Sequence, residues 1–506
     1  MKPFGFLSRV SASSLVSLLT ACAVGPDYHQ PAAPNVAGYT PAPLPASTVP
    51  ANGVAQAYVP GADIAADWWT LFHSAELNSL ITAALQNSPN LVAAGNTLIE
   101  AEENVRAEQG GFFPSLSGSF QAQRERISSA ELAGAGNEAG AANTSFIVPP
   151  FSLYNASLSV SYNPDVFGLV RRQVESLQAQ ADFERFELEA AYLSLTANIV
   201  TAAVNEAALN AEIDATRQVV AAEQSQLDIL NKQYALGGVP MADVLSEQAT
   251  LQSTSAGLPP LESQLAQARN QLADLVGVFP ADFHVADFTL DALTLPTDLP
   301  VSLPSALVEQ RPDIQAAAAE LHEASANVGV ATANMLPQIT LSAEVGHEAL
   351  DASTLFTPQN LLWNLVAGVT QPIFEGGTLS AKRKAALAAF RGAGATYQET
   401  VLGAFQNVAN ALEALQYDAA TLAADQAAEQ ASARSLAVTQ SQYRLGGQPF
   451  TAVLTAQTTY QNAVIARVKA EGLRLSDTAA LYQALGGGWW HRDDAGTAGS
   501  CCGIIP

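Results

Sequence analysis

Two short windows of the chain alternate apolar and small polar residues without a break. In 155–163, Ala156, Leu158, Val160 and Tyr162 fall on one side and Asn155, Ser157, Ser159, Ser161 and Asn163 on the other. In 338–345, Ile339, Leu341, Ala343 and Val345 oppose Gln338, Thr340, Ser342 and Glu344. Period two of this kind predicts β-strands with one apolar and one wet face. Weaker alternation runs through 113–123, around Leu116, Phe120 and Ala122, and through 361–371, with Leu361, Trp363, Leu365, Ala367 and Val369. A half-buried soluble sheet satisfies the pattern as well as a barrel wall between lipid and a wet lumen. Phe112, Phe113, Tyr154, Phe167 and Trp363, near the strand ends, are placed to form interfacial girdles.

Between the strand pairs lie two segments, 168–236 and 377–445, that contain no proline and are rich in Ala, Leu, Gln and Glu. They predict helices roughly 100 Å long at about 1.5 Å per residue. Val401, Phe405, Val408, Leu412 and Leu415 recur at spacings of three and four, as do Leu188, Tyr192, Leu195 and Ile199. These are coiled-coil seams, and the stripes are packing positions and not a cofactor box.

The pieces repeat. Gln233-Tyr234-Ala235-Leu236-Gly237-Gly238-Val239-Pro240 returns 209 residues later as Gln442-Tyr443-Arg444-Leu445-Gly446-Gly447-Gln448-Pro449. Across 233–252 and 442–461, eleven of 20 positions are identical. Each copy closes a long helix on Leu-Gly-Gly and restarts one after proline. Ser88-Pro89-Asn90-Leu91 and Pro114 find counterparts in Arg311-Pro312-Asp313-Ile314 and Pro337, both 223 residues on. Each half therefore reads helix, strand, strand, long helix, turn, helix, an internal duplication that governs the fold. The expected divisions are a signal peptide, 1–21; an N-terminal extended segment, 22–66; a first repeat, 67–290, with strands about 112–126 and 155–167 and its long helix about 168–236; a second repeat, 291–490, with strands about 336–347 and 360–374 and its long helix about 377–445; and a tail, 491–506.

The N-terminus bears on location. Lys2 and Arg9 precede an apolar, small-residue stretch that ends in Leu19-Thr20-Ala21-Cys22, the layout of a secretory signal and too short to span a bilayer. It resembles the bacterial lipobox, which implies lipidation of Cys22, palmitate included; Ala23 follows where an Asp would imply inner-membrane retention. No later apolar run reaches 18 residues, so a membrane crossing has to come from strands in a closed barrel. Without residues 1–21 the chain has 20 Lys and Arg against 47 Asp and Glu, a net of −27, which argues against a nucleic-acid partner. With 48% hydrophobic and only 14% charged residues it is not disordered by composition. Cys501 and Cys502, adjacent in a polar tail, cannot staple a fold.

Cys22-Ala23-Val24-Gly25-Pro26-Asp27-Tyr28, Asp67-Trp68-Trp69-Thr70-Leu71-Phe72, Arg311-Pro312-Asp313-Ile314, Gln371-Pro372-Ile373-Phe374-Glu375-Gly376-Gly377 and Ala484-Leu485-Gly486-Gly487-Gly488-Trp489 occur in that order. In these motifs the chain resembles the lipoprotein branch of the TolC-type outer membrane factors. The resemblance implies an α+β fold: a duplicated helix-strand-strand-helix unit, a homotrimer with a 12-stranded transmembrane barrel, and a periplasmic coiled-coil tunnel. Bottom-up counting leaves two, three or four copies open, because four strands alone cannot close a membrane barrel. It further implies a lipid-anchored outer-membrane channel of a tripartite efflux pump, with a periplasmic adaptor and an inner-membrane transporter of the RND type as partners. Type I protein secretion is the alternative channel role, and a lipid-anchored scaffold without a pore the alternative outside transport.

By the same resemblance the adaptor meets the two turns, at Gly237, Gly238, Val239, Gly446, Gly447 and Gln448. The family's periplasmic gate maps onto Asp243 and Tyr443; its Arg position holds Gln448, and its two constriction Asp positions hold Ala452 and Thr455. Closure is thus expected to depend less on salt bridges, with Asp243 accepting from Tyr443. Catalysis is not expected. His29, His73, His284, His322, His347 and His491 show no metal-ligand spacing, and no nucleophile motif or phosphate loop appears. No cofactor or metal is predicted, and with only Met1, Met241 and Met335 there is no methionine ladder for copper or silver.

Overall fold

The computed structural model describes residues 23–126, 149–284 and 286–492. They form two compact units, each gathered from three stretches of chain. The first combines the N-terminal stretch up to His29 with Ala101–Gln180 and Glu320–Ala393; the second combines Gln30–Glu100, Ala181–Ala319 and the chain from Gly394 onward. Each unit thus draws on both sequence repeats.

In order, the strands are β1 (Ala57–Pro60), β2 (Ser115–Glu125), β3 (Phe151–Tyr162), β4 (Asp298–Val301), β5 (Gln338–Ala349) and β6 (Leu361–Thr370). The helices are α1 (Ala75–Asn87), α2 (Pro89–Gln109), α3 (Leu169–Ala235), α4 (Met241–Ser255), α5 (Leu258–Val276), α6 (Pro304–Gln310), α7 (Pro312–Ala333), α8 (Thr378–Arg444) and α9 (Phe450–Ala484). The long helices α3 and α8 have 67 residues each. No helix among the described residues is long and apolar enough to cross a membrane.

The first unit holds an antiparallel sheet in the order β2-β3-β5-β6. Strand β3 stops at Tyr162, short of 167, because Pro164 has no N–H to donate and Asp165 caps the next helix. Its carboxylate accepts from the backbone N–H groups of Val170 at 3.1 Å and Arg171 at 3.0 Å. At its other end β3 begins at Phe151 instead of 155. Strand β6 stops at Thr370, two residues before Pro372.

The second unit is built on aromatic and aliphatic packing. Trp68 stacks on Tyr482 at 5.2 Å, and Trp68, Phe72, Leu77, Ile81, Leu272, Leu299 and Leu307 are buried; Leu299 lies in β4, which pairs in parallel with β1. Burying each such side chain contributes about 1.5–3 kcal/mol. Ser74 caps α1 by accepting from the Leu77 N–H at 3.3 Å. The run Gly486-Gly487-Gly488 follows α9 with φ of +97°, +64° and +73°. A Cβ on Gly486 would lie 2.3 Å from the Gln310 carbonyl oxygen, so both the backbone angle and the space select glycine. The α8 seam is buried at Tyr397, Val401, Ala404, Val408, Leu412, Leu415, Ala419 and Leu422, a three-four repeat.

Candidate functional site

The sheet of the first unit has two chemically different faces. Strand register places Leu116 opposite Val160, Gly118 opposite Leu158, and Phe120 opposite Ala156. Leu158 in turn faces Val345, Val345 faces Trp363, and Ala343 faces Leu365. Cross-strand partners share a face, so these residues form one continuous apolar surface. Leu116, Phe120, Leu158, Val345, Trp363, Leu365 and Val369 are exposed on it, and an apolar patch of that extent marks contact with lipid or another protein.

The opposite face is polar. Ser117 and Ser159 hydroxyls bond at 2.8 Å and Ser119 and Ser157 at 2.9 Å. Asn364 donates to Glu344 at 3.1 Å and Asn155 donates to Glu348 at 3.3 Å. Leu153 and Phe151 fall on this wet face, as do Leu362 and Val366, which is why alternation weakens at the start of β3 and along β6. Among the described residues neither β2 nor β6 has a strand on its outer edge.

In the second unit the two Gly-Gly turns are built alike. The Gly238 N–H bonds to the Gln233 carbonyl at 2.8 Å and the Gly237 N–H to that of Tyr234 at 2.9 Å; Gly447 and Gly446 repeat this with Gln442 and Tyr443, both at 2.9 Å. Gly237 at φ +74° and Gly446 at +75° supply the left-handed residue of this helix stop. Pro240 and Pro449 then sit at the N-caps of α4 and α9. The turns meet in one apolar cluster of Leu230, Val244, Phe450 and Val453, with Val239 and Tyr443 packed against it. Gln448 is exposed, and so are Leu236 and Leu445.

Asp243 lies in the first turn of α4. Tyr443 packs its ring on Phe450 at 5.4 Å, and its buried hydroxyl has no hydrogen-bond partner. The expected bond from Tyr443 to Asp243 is therefore not made within one chain, because the ring is held in the apolar cluster. The Asp243 charge still acts on Tyr443: burial and then that charge hold the phenol above its ordinary value. Cys22 lies outside the described residues, but Ala23, next in sequence, packs at Gly168, just before α3.

The model of the family described as outer membrane efflux protein matches residues 80–278 and 303–487. The chain belongs to the outer membrane efflux protein family. It is 32% identical over 460 residues to the pyoverdine export outer membrane protein OpmQ of Pseudomonas aeruginosa, covering 89% of this chain and 94% of OpmQ. It is 28% identical over 491 residues to the probable efflux pump outer membrane protein TtgC of Pseudomonas putida, 96% of each. Among solved structures it is similar to the outer-membrane channel OprN, with a TM-score of 0.80 at 26% identity, over 92% of this chain and 100% of that one.

This efflux protein is accordingly an outer-membrane channel component that extends into the periplasm, with the α+β barrel-and-tunnel fold class of its family. The relatives it matches are channel and transport proteins. Among the described residues no group of three or more His, Cys, Asp or Glu side chains could hold a metal. Sequence reasoning missed several buried polar groups of the second unit. Arg474 bonds to Gln56, Thr48 and the carbonyls of Ala51 and Val54. Asp477 lies beside Asp418, and Glu223 beside Glu247. Each lies in a helix rich in other polar residues, so no local signal sets it apart.

Proposed function

We propose that three copies of this chain join edge to edge, β2 of one to β6 of the next, to close a 12-stranded barrel through which solutes leave passively. The observation that carries this is the four-stranded sheet itself, with one apolar face, one wet face and two edges that are unpaired among the described residues. In a bilayer an open edge leaves backbone groups unbonded, so the sheet has to close on copies of itself. The chain performs no catalytic step. An adaptor in the periplasm and an inner-membrane transporter of the RND type load the tunnel, the adaptor meeting the turns at 236–240 and 445–449. A lipid on Cys22 adds a second attachment to the outer membrane. The cargo is a small organic molecule, a reading supported by OpmQ, which is named for pyoverdine export.

Purified protein should run as a heat-modifiable oligomer and give discrete conductance steps in a planar bilayer. An oligomer that inserts but never conducts would leave only a scaffold.

A further inference from the structure

Glu223 on α3 and Glu247 on α4 are both fully buried. Glu223 accepts from the Thr254 hydroxyl at 3.1 Å and from the Gln457 side chain of α9. Its second oxygen and both oxygens of Glu247 have no hydrogen-bond partner. Among the described residues no Lys, Arg or His pairs with either carboxylate. The groups that face the pair are Glu223 from α3, Glu247 and Thr254 from α4, and Gln457 from α9, and only the two acids titrate.

A buried carboxylate without a cation takes up a proton sooner than it stays charged, and two side by side resist joint ionisation. Burial, then the Glu223 charge, pushes Glu247 up to about 7, and burial pushes Glu223 up as well. A cavity of about 250 Å³ lined by Gln218, Gln226, Gln440 and Tyr460 also touches Gln457, the α9 side chain that bonds to Glu223. The second repeat has Ser432 and Ala456 at the corresponding positions, 209 residues on, so the acid pair belongs to the first hairpin alone.

We propose that Glu223 and Glu247 form an acid latch: the proton that keeps the buried Glu247 carboxyl neutral beside Glu223 keeps α4 against α3, and its loss loosens the hairpin that ends in the turn at 236–240. The pair is a titrating site and not a metal site, because so few ligands in so dry a place cannot replace the water shell of a divalent cation. Packed, the acid keeps its proton until about pH 7; opened to water, it keeps it only to its ordinary value of 4.5. Opening therefore becomes easier as pH rises between those limits and no easier above them.

Amide hydrogen exchange of the full-length protein, corrected for the intrinsic pH dependence of exchange, tests this. Protection of 241–255 should fall by about tenfold per pH unit from pH 5 to 7, the slope of one proton, and then level off. Glu247→Gln should remove the slope, and Glu223→Gln should narrow its range by taking away the neighbouring charge. Asp477→Asn should leave the slope of 241–255 unchanged. A flat wild type, a slope that survives Glu247→Gln, or one that disappears in Asp477→Asn would overturn the latch.

Discussion

Arg172 donates to the carboxylate of Asp27 across 2.8 Å and, through Nε, to the Val24 carbonyl at 3.1 Å. The same guanidinium bonds to Glu175 at 2.6 Å; Glu175 meets His322 at 3.1 Å, and His322 stacks on Tyr28 at 4.3 Å. The Val24 N–H closes the group on the Phe167 carbonyl at 3.2 Å. The residues that follow Cys22 are thus clasped onto the junction between β3 and α3, and not left as a free tether.

Anchoring and clasping should therefore separate. Cys22→Ser should abolish labelling by a fatty-acid analogue, since the lipid has no other attachment point in the motif. Arg172→Ala should keep the label and make 23–29 sensitive to limited proteolysis. Equal labelling of wild type and Cys22→Ser would rule out acylation there.

The register of the sheet makes neighbouring positions on one strand opposite in tolerance. Val160 shares its face with Leu116 and Ala343, whereas Ser159 bonds to Ser117 on the other. An Arg on the lipid side at mid-bilayer costs about 2–4 kcal/mol. Val160→Arg and Leu158→Arg should deplete the heat-modifiable oligomer, and Ser159→Arg should be better tolerated. Equal assembly of Val160→Arg and Ser159→Arg would mean that the faces are reversed or the sheet is not in lipid.

Buried acids in the second unit predict an acid-side stability optimum. Burial, then a hydrogen bond and charge from Asp418, pushes Asp477 up to about 8. The folded chain binds this proton where the unfolded chain has lost it, so the stabilisation is complete below the ordinary value of 3.8 and drains away as pH rises toward about 8. The melting temperature of the wild type should fall between pH 5 and 8, and Asp477→Asn should flatten that decline. A variant whose melting curve tracks the wild type at both pH values would remove Asp477 as its source.

These acids mark the boundary of what was legible in the chain. Period two was readable in 155–163 and 338–345 because one side of each window is uniformly apolar. It faded in β6, where Leu362 and Val366 occupy the wet face. The helices α3 and α8 were readable through the absence of proline, and the turns through Gly-Gly-x-Pro. The strands β1 and β4 were not: each has four residues, includes a proline, and pairs with a partner over 200 positions away. Arg474, Glu247 and Asp477 stayed hidden for a related reason, since their partners come from other helices or, for Gln56, from 418 positions away.

At the turns, adaptor contact should be directly capturable. Gln448 is exposed, and Val239 packs against the cluster where the two turns meet. A photo- or thiol-reactive crosslinker on Gln448→Cys should yield an adaptor product in cells, and one on Val239→Cys a weaker product because part of that side chain is buried. If a full scan of 236–240 and 445–449 gives no adaptor product while efflux is intact, the turns only reverse the chain.

Asp243 and Tyr443 carry the remaining prediction. Tyr443 places a hydroxyl without a partner inside the cluster that joins both turns, and the charge of Asp243 reaches it without a bond. A buried hydroxyl that stays unbonded costs about 1–3 kcal/mol, so the arrangement is retained against a local penalty. That penalty is relieved if the helices close inward and the hydroxyl finds a carboxylate. Tyr443→Phe deletes only this oxygen and should leave oligomer abundance unchanged or slightly raised. Asp243→Ala removes a favourable acid from the first turn of α4, worth about 0.3–1 kcal/mol, too little to unfold the hairpin. With Gln448, Ala452 and Thr455 adding no charge nearby, either substitution should raise single-channel conductance and admit larger solutes. Asp243→Asn, which can still accept a hydrogen bond, should fall between Asp243→Ala and wild type. Identical conductance in all three variants and wild type would take the pair out of the gate, since neither the bond nor the charge would then be holding the helices inward.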